Sequence, residues 1–421
     1  MRRVLFAVWV SLVSSSLGAG PLLSVSPESV GFSSERLQQV SRYTRDDVAA
    51  GRHAGFVTMV ARHGKIVHFD AVGRYGIDND KPMARDTLFR IYSMTKPITS
   101  VALMMLYEEG AFQMNDPVSK YLPALADLKI YDPSGDYRTA APITIEQLLT
   151  HTAGLTYGFR ADDPVDKLYQ DSDLRNSKNL SEFIDHLSQL PLHYEPGTRY
   201  HYSVATDVLG AVIEKISGMS LDVFFEQRIF KPLGMNDTFF SVPRDKLSRL
   251  ATNHRWDAEA DSLALLPPQS SREITDVTFF SGGGGLISSA MDYMIFCEML
   301  RRGGAYNGAR ILGPKTVQYM TIDHLTPEVR NRGADEYPES HLYPGQSFGL
   351  GLAVILNPGT SDVVSSRGEY SWGGAADTKF WIDPEEDLVV VLMTQLMGSP
   401  WPTRYQMKAA TYQALTELGG R

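Results

Sequence analysis

Strands are predicted near both ends of the chain, where apolar residues alternate with polar ones or cluster in β-branched runs. Residues 56–62 and 66–72 form such runs, and His63-Gly64 between them predicts a tight hairpin turn. The last third of the chain predicts three further strands, at residues 348–356, 378–383 and 387–393. A turn that starts at Pro384 joins the last two into a second hairpin.

Helical spacing of apolar residues dominates much of the remaining chain. Ser33 and Ser34 are candidate caps for a helix that places Leu37, Val40 and Tyr43 on one face. By the same spacing, further helices are predicted at residues 93–110, 207–216 and 402–418.

The order of these elements predicts an α+β fold with two lobes. We expect residues 21–120 and 270–421 to form an α/β lobe, because strands are predicted in both segments. Residues 121–269 are expected to form a mainly helical lobe inserted between them. At 421 residues the chain is long enough to bury a large core in such an arrangement.

Charge and cysteine content exclude several classes of function. The chain has 40 basic and 49 acidic residues, a net charge of -9, which argues against a protein that binds nucleic acid. Its one cysteine, Cys297, permits no intramolecular disulfide and no multi-cysteine metal site. Cys297 lies in an apolar helical run, which predicts a buried structural thiol.

Residues 1–20 have the pattern of a secretory signal. Arg2 and Arg3 precede an apolar stretch at residues 4–13, and small residues follow. The stretch is too short to span a bilayer, so we expect no stable membrane insertion once the segment is removed. The pattern predicts an exported protein, periplasmic or secreted; a cytoplasmic protein with a mobile N-terminus is the alternative.

Several common catalytic motifs are absent from the sequence. It contains no G-x-S-x-G, no H-E-x-x-H and no G-x-x-x-x-G-K-[ST]. The glycine run at residues 282–285 lacks a lysine and a strand–helix frame, which favours a tight turn. The ten histidines show no metal-ligand spacing, so neither a metal ion nor another cofactor is expected.

The chain has a single S-x-x-K motif, which comprises residues 93–96. A short extended run precedes Ser93 and a helix follows it, so the serine is expected where free N–H groups favour a developing negative charge. Lys96 then lies on the same helical face and, if partly desolvated, can receive the serine proton. The alternative is a capping serine followed by a solvated lysine.

Two later elements add candidate chemistry. Tyr202 is expected just before a helix, where a phenol close to a lysine can serve as general base and then as general acid. Trp372-Gly373-Gly374 opens a predicted strand, and paired glycines let the backbone approach a ligand closely. A packed aromatic residue and a glycine-rich bend are the respective alternatives.

The order and spacing of these three elements resemble the serine β-lactamase and penicillin-binding protein superfamily, and more narrowly the class C β-lactamase-like carboxylesterases called family VIII esterases. The resemblance covers nearly the whole chain after the signal-like segment, with further matches at residues 116–122, 149–155 and 282–288. It implies an antiparallel sheet flanked by helices, an all-helical lobe and a site between the two.

The resemblance also implies a role for each motif residue. Ser93 would be the acylated nucleophile, and Lys96 with Tyr202 would form the base system. The oxyanion hole would consist of the backbone N–H groups of Ser93 and Ala375. The expected substrate-binding residues occupy the family's K-T-G position: Trp372, Gly373 and Gly374.

Two departures from the family pattern bear on substrate choice. Val204 stands where lactamases and peptidases have the asparagine of Y-x-N, and Trp372 replaces the lysine of K-T-G. Losing a charged hydrogen bond costs about 1.5–3 kcal/mol in recognition of a substrate carboxylate. Both changes favour small, uncharged esters, and the W-G-G form is typical of esterases in this family.

These observations predict that the protein is a serine carboxylesterase. It is expected to cleave small, short-to-medium acyl esters through an acyl-serine intermediate. Three other functions remain open: a β-lactamase or D-Ala-D-Ala carboxypeptidase, an acyltransferase of the same fold, and a sensor that acylates without turnover. The expected partner is a small-molecule ester, and the oligomeric state is not predicted.

Overall fold

The computed structural model describes residues 22–132, 134–267, 270–332 and 342–419, so the signal-like segment lies outside the described residues. Eighteen strands occur in this part of the chain. In chain order they are β1 (Leu23–Ser24), β2 (Gly55–Arg62), β3 (Lys65–Gly76), β4 (Asn79–Pro82), β5 (Leu88–Arg90), β6 (Lys129–Tyr131), β7 (Tyr137–Thr139), β8 (His254–Asp257), β9 (Ser262–Leu265), β10 (Ile287–Ser289), β11 (Ala305–Tyr306), β12 (Ala309–Arg310), β13 (Gln346–Phe348), β14 (Ala353–Ile355), β15 (Tyr370–Gly373), β16 (Lys379–Asp383), β17 (Leu388–Met393) and β18 (Leu396–Met397).

Thirteen α-helices occur in the same residues. They are α1 (Ser34–Ala49), α2 (Thr95–Glu108), α3 (Ile145–Leu149), α4 (Pro164–Asp171), α5 (Leu180–Leu187), α6 (Ala205–Ser217), α7 (Leu221–Phe225), α8 (Lys231–Leu233), α9 (Ser271–Ile274), α10 (Ala290–Arg301), α11 (Pro314–Met320), α12 (Pro327–Asn331) and α13 (Thr403–Tyr412).

The central sheet has nine strands in the order β1-β3-β2-β17-β16-β15-β14-β13, with β4 paired to β3. All of its pairs are antiparallel except β1 with β3. Segments from the two ends of the chain meet in it, since β17 pairs with β2 through contacts such as Val390 opposite Val60. The sheet confirms the expected α+β fold, whereas the exact lobe boundaries stay a prediction.

Each face of the sheet buries a separate apolar layer. On one face, Trp381 and Val390 pack with Leu37 of α1 and Met407 of α13. On the other, strand residues such as Phe380 belong to an apolar cluster that includes α2 and α10, and the helices of residues 145–233 join this cluster through the contact of α6 with α2. Cys297 of α10 is fully buried in this second layer, as predicted.

Local signals predicted several elements correctly. The β2–β3 hairpin turns at His63 and Gly64, which have φ angles of 53° and 70°. Ser33 caps α1 by accepting a hydrogen bond from the N–H of Arg36. Helix α6 ends at Ser217, one residue beyond its predicted end, and Gly218 caps it in a left-handed conformation.

The predicted strand at residues 348–356 is wrong, because β13 ends at Phe348, the chain turns at residues 349–352, and the antiparallel β14 comprises only Ala353–Ile355. Gly351 turns the chain between them with a φ angle of 83°, a conformation that residues with a Cβ rarely adopt. The final helix is also shorter than predicted and ends at Tyr412. Residues 129–139 and 254–265 contain short strand pairs that the helical pattern did not indicate.

Candidate active site

Ser93 lies in a single 3-10 turn between strand β5 and helix α2. The residue before it, Tyr92, has a φ angle of 44°, which is costly for a residue with a bulky side chain. The phenol of Tyr92 accepts a hydrogen bond from the side-chain amide of Asn253, which helps to hold this conformation. The strained turn places Ser93, partly exposed, at the start of α2 as the sequence predicted.

Lys96 is only 1% exposed, and its ammonium has three oxygen partners. The Nζ atom lies 2.6 Å from the carbonyl oxygen of Gly283, 2.8 Å from Oη of Tyr157 and 3.4 Å from Oγ of Ser93. These contacts hold the ammonium beside the serine hydroxyl. The structure therefore brings Ser93 and Lys96 together and excludes the solvated lysine.

The peptide at Gly283 links Lys96 to a buried carboxylate. The N–H of Gly283 donates to Asp207 at 3.0 Å, and the hydroxyl of Ser281 donates to the same oxygen at 2.5 Å. Burial raises the pKa of Asp207, and the nearby Lys96 opposes that rise. The glycine run is a turn, as predicted, but it also orients the lysine, a role that its sequence pattern did not indicate.

Two phenols face the ammonium of Lys96. Its Nζ atom lies 4.7 Å from the ring centroid of Tyr202 and 5.1 Å from that of Tyr157. Burial, followed by the nearby Tyr202 and Asp207, raises the pKa of Tyr157 well above its ordinary value, so this phenol stays protonated. Oη of Tyr202 is buried and has no hydrogen-bond partner among the described residues. The neighbouring phenol of Tyr157 also acts on this hydroxyl, so the two tyrosines and Lys96 form one polar group beside Ser93.

The stretch at residues 149–155 supports the segment that carries Tyr202. The ring of His151 packs 4.7 Å from that of Tyr202, and Nδ1 of His151 accepts the N–H of Ser203 at 3.3 Å. The carbonyl of His151 accepts the N–H of His201 at 2.8 Å. Burial and the charge of Lys96 hold the pKa of His151 well below its usual range, so the ring is neutral at pH 7.

The W-G-G segment forms the end of β15 and passes close to the serine turn. A Cβ at Gly374 would collide with the carbonyl oxygen of Ile91 and the hydroxyl of Thr378, so no larger residue fits there. Ala375 follows on an exposed position and lines the same cleft as Ser93. This arrangement brings the two predicted oxyanion residues to one cleft.

The cleft at Ser93 has a volume of about 420 Å³. Trp372 forms part of its wall, with its ring 5.5 Å from that of Tyr202 and 5.2 Å from that of Phe348. Beyond the predicted residues, the lining includes aromatic side chains at 159, 200 and 343 and two basic residues, Lys379 and Arg404. The cleft is therefore aromatic, yet it is not free of cations.

Sequence reasoning missed Tyr157, Asp207, Lys379 and Arg404. Tyr157 lies two residues beyond the matched stretch 149–155, which is a signal that could have found it. Asp207 has the position of an ordinary first-turn acid of α6, and Lys379 and Arg404 occur in an ordinary strand and helix. Only their tertiary neighbours distinguish these three.

One cluster among the described residues has the composition of a metal site: Asp166, His193 and His201, whose ligand atoms lie within 4.8 Å of one another. Their polar atoms form hydrogen bonds with one another and with neighbouring residues. Asp166 binds His193 at 3.1 Å, the hydroxyl of Thr156 at 2.6 Å and the N–H of Arg160 at 2.9 Å. The cluster is therefore a hydrogen-bond network that ties α4 to the segment before Tyr202.

Comparisons with known proteins agree with this geometry. The beta-lactamase family profile matches residues 40–414. An uncharacterized protein of Mycobacterium tuberculosis is 36% identical over 362 residues, which cover 83% of this chain and 88% of the relative. Esterase EstB of Burkholderia gladioli is 30% identical over 381 residues, covering 86% and 91% of the two chains.

A solved structure gives the same result. EstCE1, described as a hydrolase with promiscuous acyltransferase activity, is 29% identical and superposes with a TM-score of 0.77 over 90% of this chain and 99% of its own. No helix among the described residues combines the length and the apolar character needed to cross a bilayer. The profile match and the esterase relatives show that the chain belongs to the beta-lactamase family and is a serine hydrolase of the β-lactamase-like esterase group.

Proposed function

We propose that the protein is a carboxylesterase that cleaves short-to-medium acyl esters through an acyl-enzyme on Ser93. The observation that carries the proposal is the position of Lys96, whose ammonium is held 3.4 Å from Oγ of Ser93. Trp372 supports an ester rather than a lactam, because it places an apolar wall in the cleft where the resemblance expects a lysine.

In the proposed reaction, the pair of Lys96 and Tyr202 acts in the form that lacks one proton, a phenolate beside an ammonium. Oγ of Ser93 attacks the ester carbonyl carbon while its proton passes to this phenolate. The C–O bond to the alcohol then breaks, and the same proton goes to the departing alkoxide. Water attacks the acyl-serine, its proton returns through the same pair to Ser93 Oγ, and the carboxylic acid is released. Tyr157 acts as a positioning residue, because its protonated phenol fixes the ammonium of Lys96.

The proposed oxyanion hole consists of the N–H groups of Ser93 and Ala375. Both residues line the cleft, and the close packing of Gly374 on Ile91 fixes the distance between their segments. One such donor typically contributes about 3–4 kcal/mol of transition-state stabilisation. We expect Trp372, Gly373 and Gly374 to contact the bound ester along the edge of β15.

The esterase relative supports hydrolysis, and EstCE1 supports a second candidate. That protein is described as having promiscuous acyltransferase activity, and the cleft here, at about 420 Å³, is large enough to hold a small alcohol beside the acyl group. An acyltransferase would use the same acyl-enzyme and pass the acyl group to an alcohol. The lactamase and peptidase alternatives are disfavoured by Trp372 and Val204.

The test compares a short-chain p-nitrophenyl ester with a chromogenic cephalosporin. We expect fast ester cleavage and weak or no lactam opening, with a loss of up to ~10⁶-fold in ester turnover for Ser93→Ala. Ser181→Ala, at an exposed position on α5, is the matched control and is expected to keep the wild-type rate.

Four outcomes would change the proposal. Ester cleavage that survives in Ser93→Ala would refute the nucleophile. Fast lactam opening would favour a β-lactamase function over the proposed carboxylesterase function. A burst of product equal to the enzyme, without turnover, would identify a protein that acylates but does not release its acyl group. Added alcohol that captures the acyl group in preference to water would favour the acyltransferase.

A further inference from the structure

Lys379 is a cation of the cleft without an acidic partner. Its ammonium donates a hydrogen bond to Oγ of Ser371 at 3.0 Å, and no carboxylate among the described residues lies within ion-pair distance of it. The side chain is mostly enclosed, yet it lines the cleft that contains Ser93. An enclosed cation is costly unless an anion or several hydrogen bonds stabilise it.

The neighbouring charges increase this imbalance. Arg404 pairs with Asp377 at 2.9 Å, and Lys408 pairs with Glu369 at 2.6 Å, so the nearby acids are already used. Burial, followed by Arg404 and Lys408, lowers the pKa of Lys379 to about 7, although Glu369 opposes the shift. Near neutral pH the Lys379 amine is therefore partly uncharged, and a bound anion would favour its charged form.

Lys379 reaches the cleft beside Gly373. Gly373 lies opposite Lys379 in the β15–β16 register, and a Cβ there would come within 3.0 Å of the Arg404 guanidinium. A side chain at Gly373 would therefore crowd the basic residues. Next to the cleft, Lys379 and Arg404 also line a small cavity of about 70 Å³.

The position of this charge differs from that of the K-T-G lysine. Trp372 occupies that position, and its neighbours in the strand, Ser371 and Gly373, face the other side of the sheet. Lys379 pairs with Gly373 and shares that other side, on which Arg404 and Lys408 of α13 also lie. The cation of the cleft is thus Lys379 of the adjacent strand β16, and not a residue at the K-T-G position of β15.

We propose that Lys379 binds a carboxylate of the substrate, so that the preferred esters are short monoesters of dicarboxylic acids. The inference rests on the proposed esterase function and narrows it. It also revises the expectation of uncharged esters, which was based on Trp372 alone. A monoester has both required groups, the ester for Ser93 and a free carboxylate for the ammonium.

Calorimetric titration of the Ser93→Ala protein tests binding without turnover. Monomethyl glutarate is expected to bind about 10-fold or more tightly than dimethyl glutarate, which has no charge. Adding Lys379→Met should bring this ratio close to one, whereas Lys379→Arg should keep it above one. Lys65→Met, at an exposed position on β3, is the control and should leave the ratio unchanged.

Equal binding of the two glutarates, or no measurable binding of the monoester, would overturn the carboxylate site. Turnover of p-nitrophenyl pentanoate and of mono-p-nitrophenyl glutarate separates this result from the parent proposal. If the glutarate preference is found but neither ester is hydrolysed, the esterase function fails and the subsite stands. If both esters are hydrolysed without a preference, the function stands and the subsite fails.

Discussion

Lys96 and Lys379 approach the same cleft from helix α2 and strand β16, but their surroundings differ. Lys96 is nearly inaccessible and has three oxygen partners, one of them the carbonyl of Gly283 behind which Asp207 lies. Lys379 has one hydroxyl partner and two cationic neighbours. The protein's own oxygen atoms thus bind the ammonium of Lys96 fully, whereas Lys379 has no carboxylate partner among the described residues.

This difference separates a group that has a fixed place in the reaction from one that has room for a ligand. The contacts of Lys96 hold its Nζ atom beside Ser93 whether or not substrate is present, which suits proton transfer. The single hydroxyl at Lys379 leaves its charge uncompensated, which suits recognition of an anion. The two lysines therefore have different proposed roles.

Removing the ammonium of Lys96 should have the largest effect. We expect Lys96→Met to lower kcat for a neutral short-chain ester by about 10⁴-fold, as for other members of a catalytic unit. Lys379→Met should cost less than 10-fold with the same ester, because that substrate has no carboxylate. Initial rates, with thermal unfolding to check the fold, provide the measurement. Similar losses of kcat in the two variants would contradict the different roles proposed for Lys96 and Lys379.

The two phenols beside Lys96 allow a matched test of the base. Tyr202→Phe should lower kcat by about 10³-fold, because it removes the phenolic oxygen proposed to take the serine proton. Tyr157→Phe should cost about 10-fold, since it removes one of three partners of Lys96. Both rings keep their packing, so kcat is compared at equal thermal stability. If Tyr202→Phe keeps most of its rate, the base assignment is wrong.

Sequence reasoning succeeded where the determinants are close together in the chain. The hairpin of β2 and β3 depends on a two-residue turn, and Ser93 and Lys96 are three residues apart at the start of one helix. The strand predicted at 348–356 failed because the apolar alternation continues through a turn that only the φ angle of Gly351 reveals.

The remaining parts of the site depend on contacts between distant segments. Asp207 meets Gly283 across 76 residues, and Lys408 meets Glu369 across 39. The partners in each pair are too far apart in the sequence for any motif to link them. The orientation of Lys96 and the charges around Lys379 could therefore not be predicted. The W-G-G motif was found, but its meaning changed once Lys379 was seen beside Gly373.

A third lysine, placed at Trp372, would show how strongly position matters among cations of this cleft. Trp372→Lys would put an ammonium on the face of β15 that bears Trp372, near Tyr202, where Lys379 does not lie. We expect cephalosporin turnover to rise by about 10-fold, since a charged hydrogen bond to the substrate carboxylate is restored. Trp372→Leu controls for the lost ring and should give no such gain. An equal gain in both variants would show that bulk, rather than charge, excludes lactams, and no gain in Trp372→Lys would refute the carboxylate argument at this position.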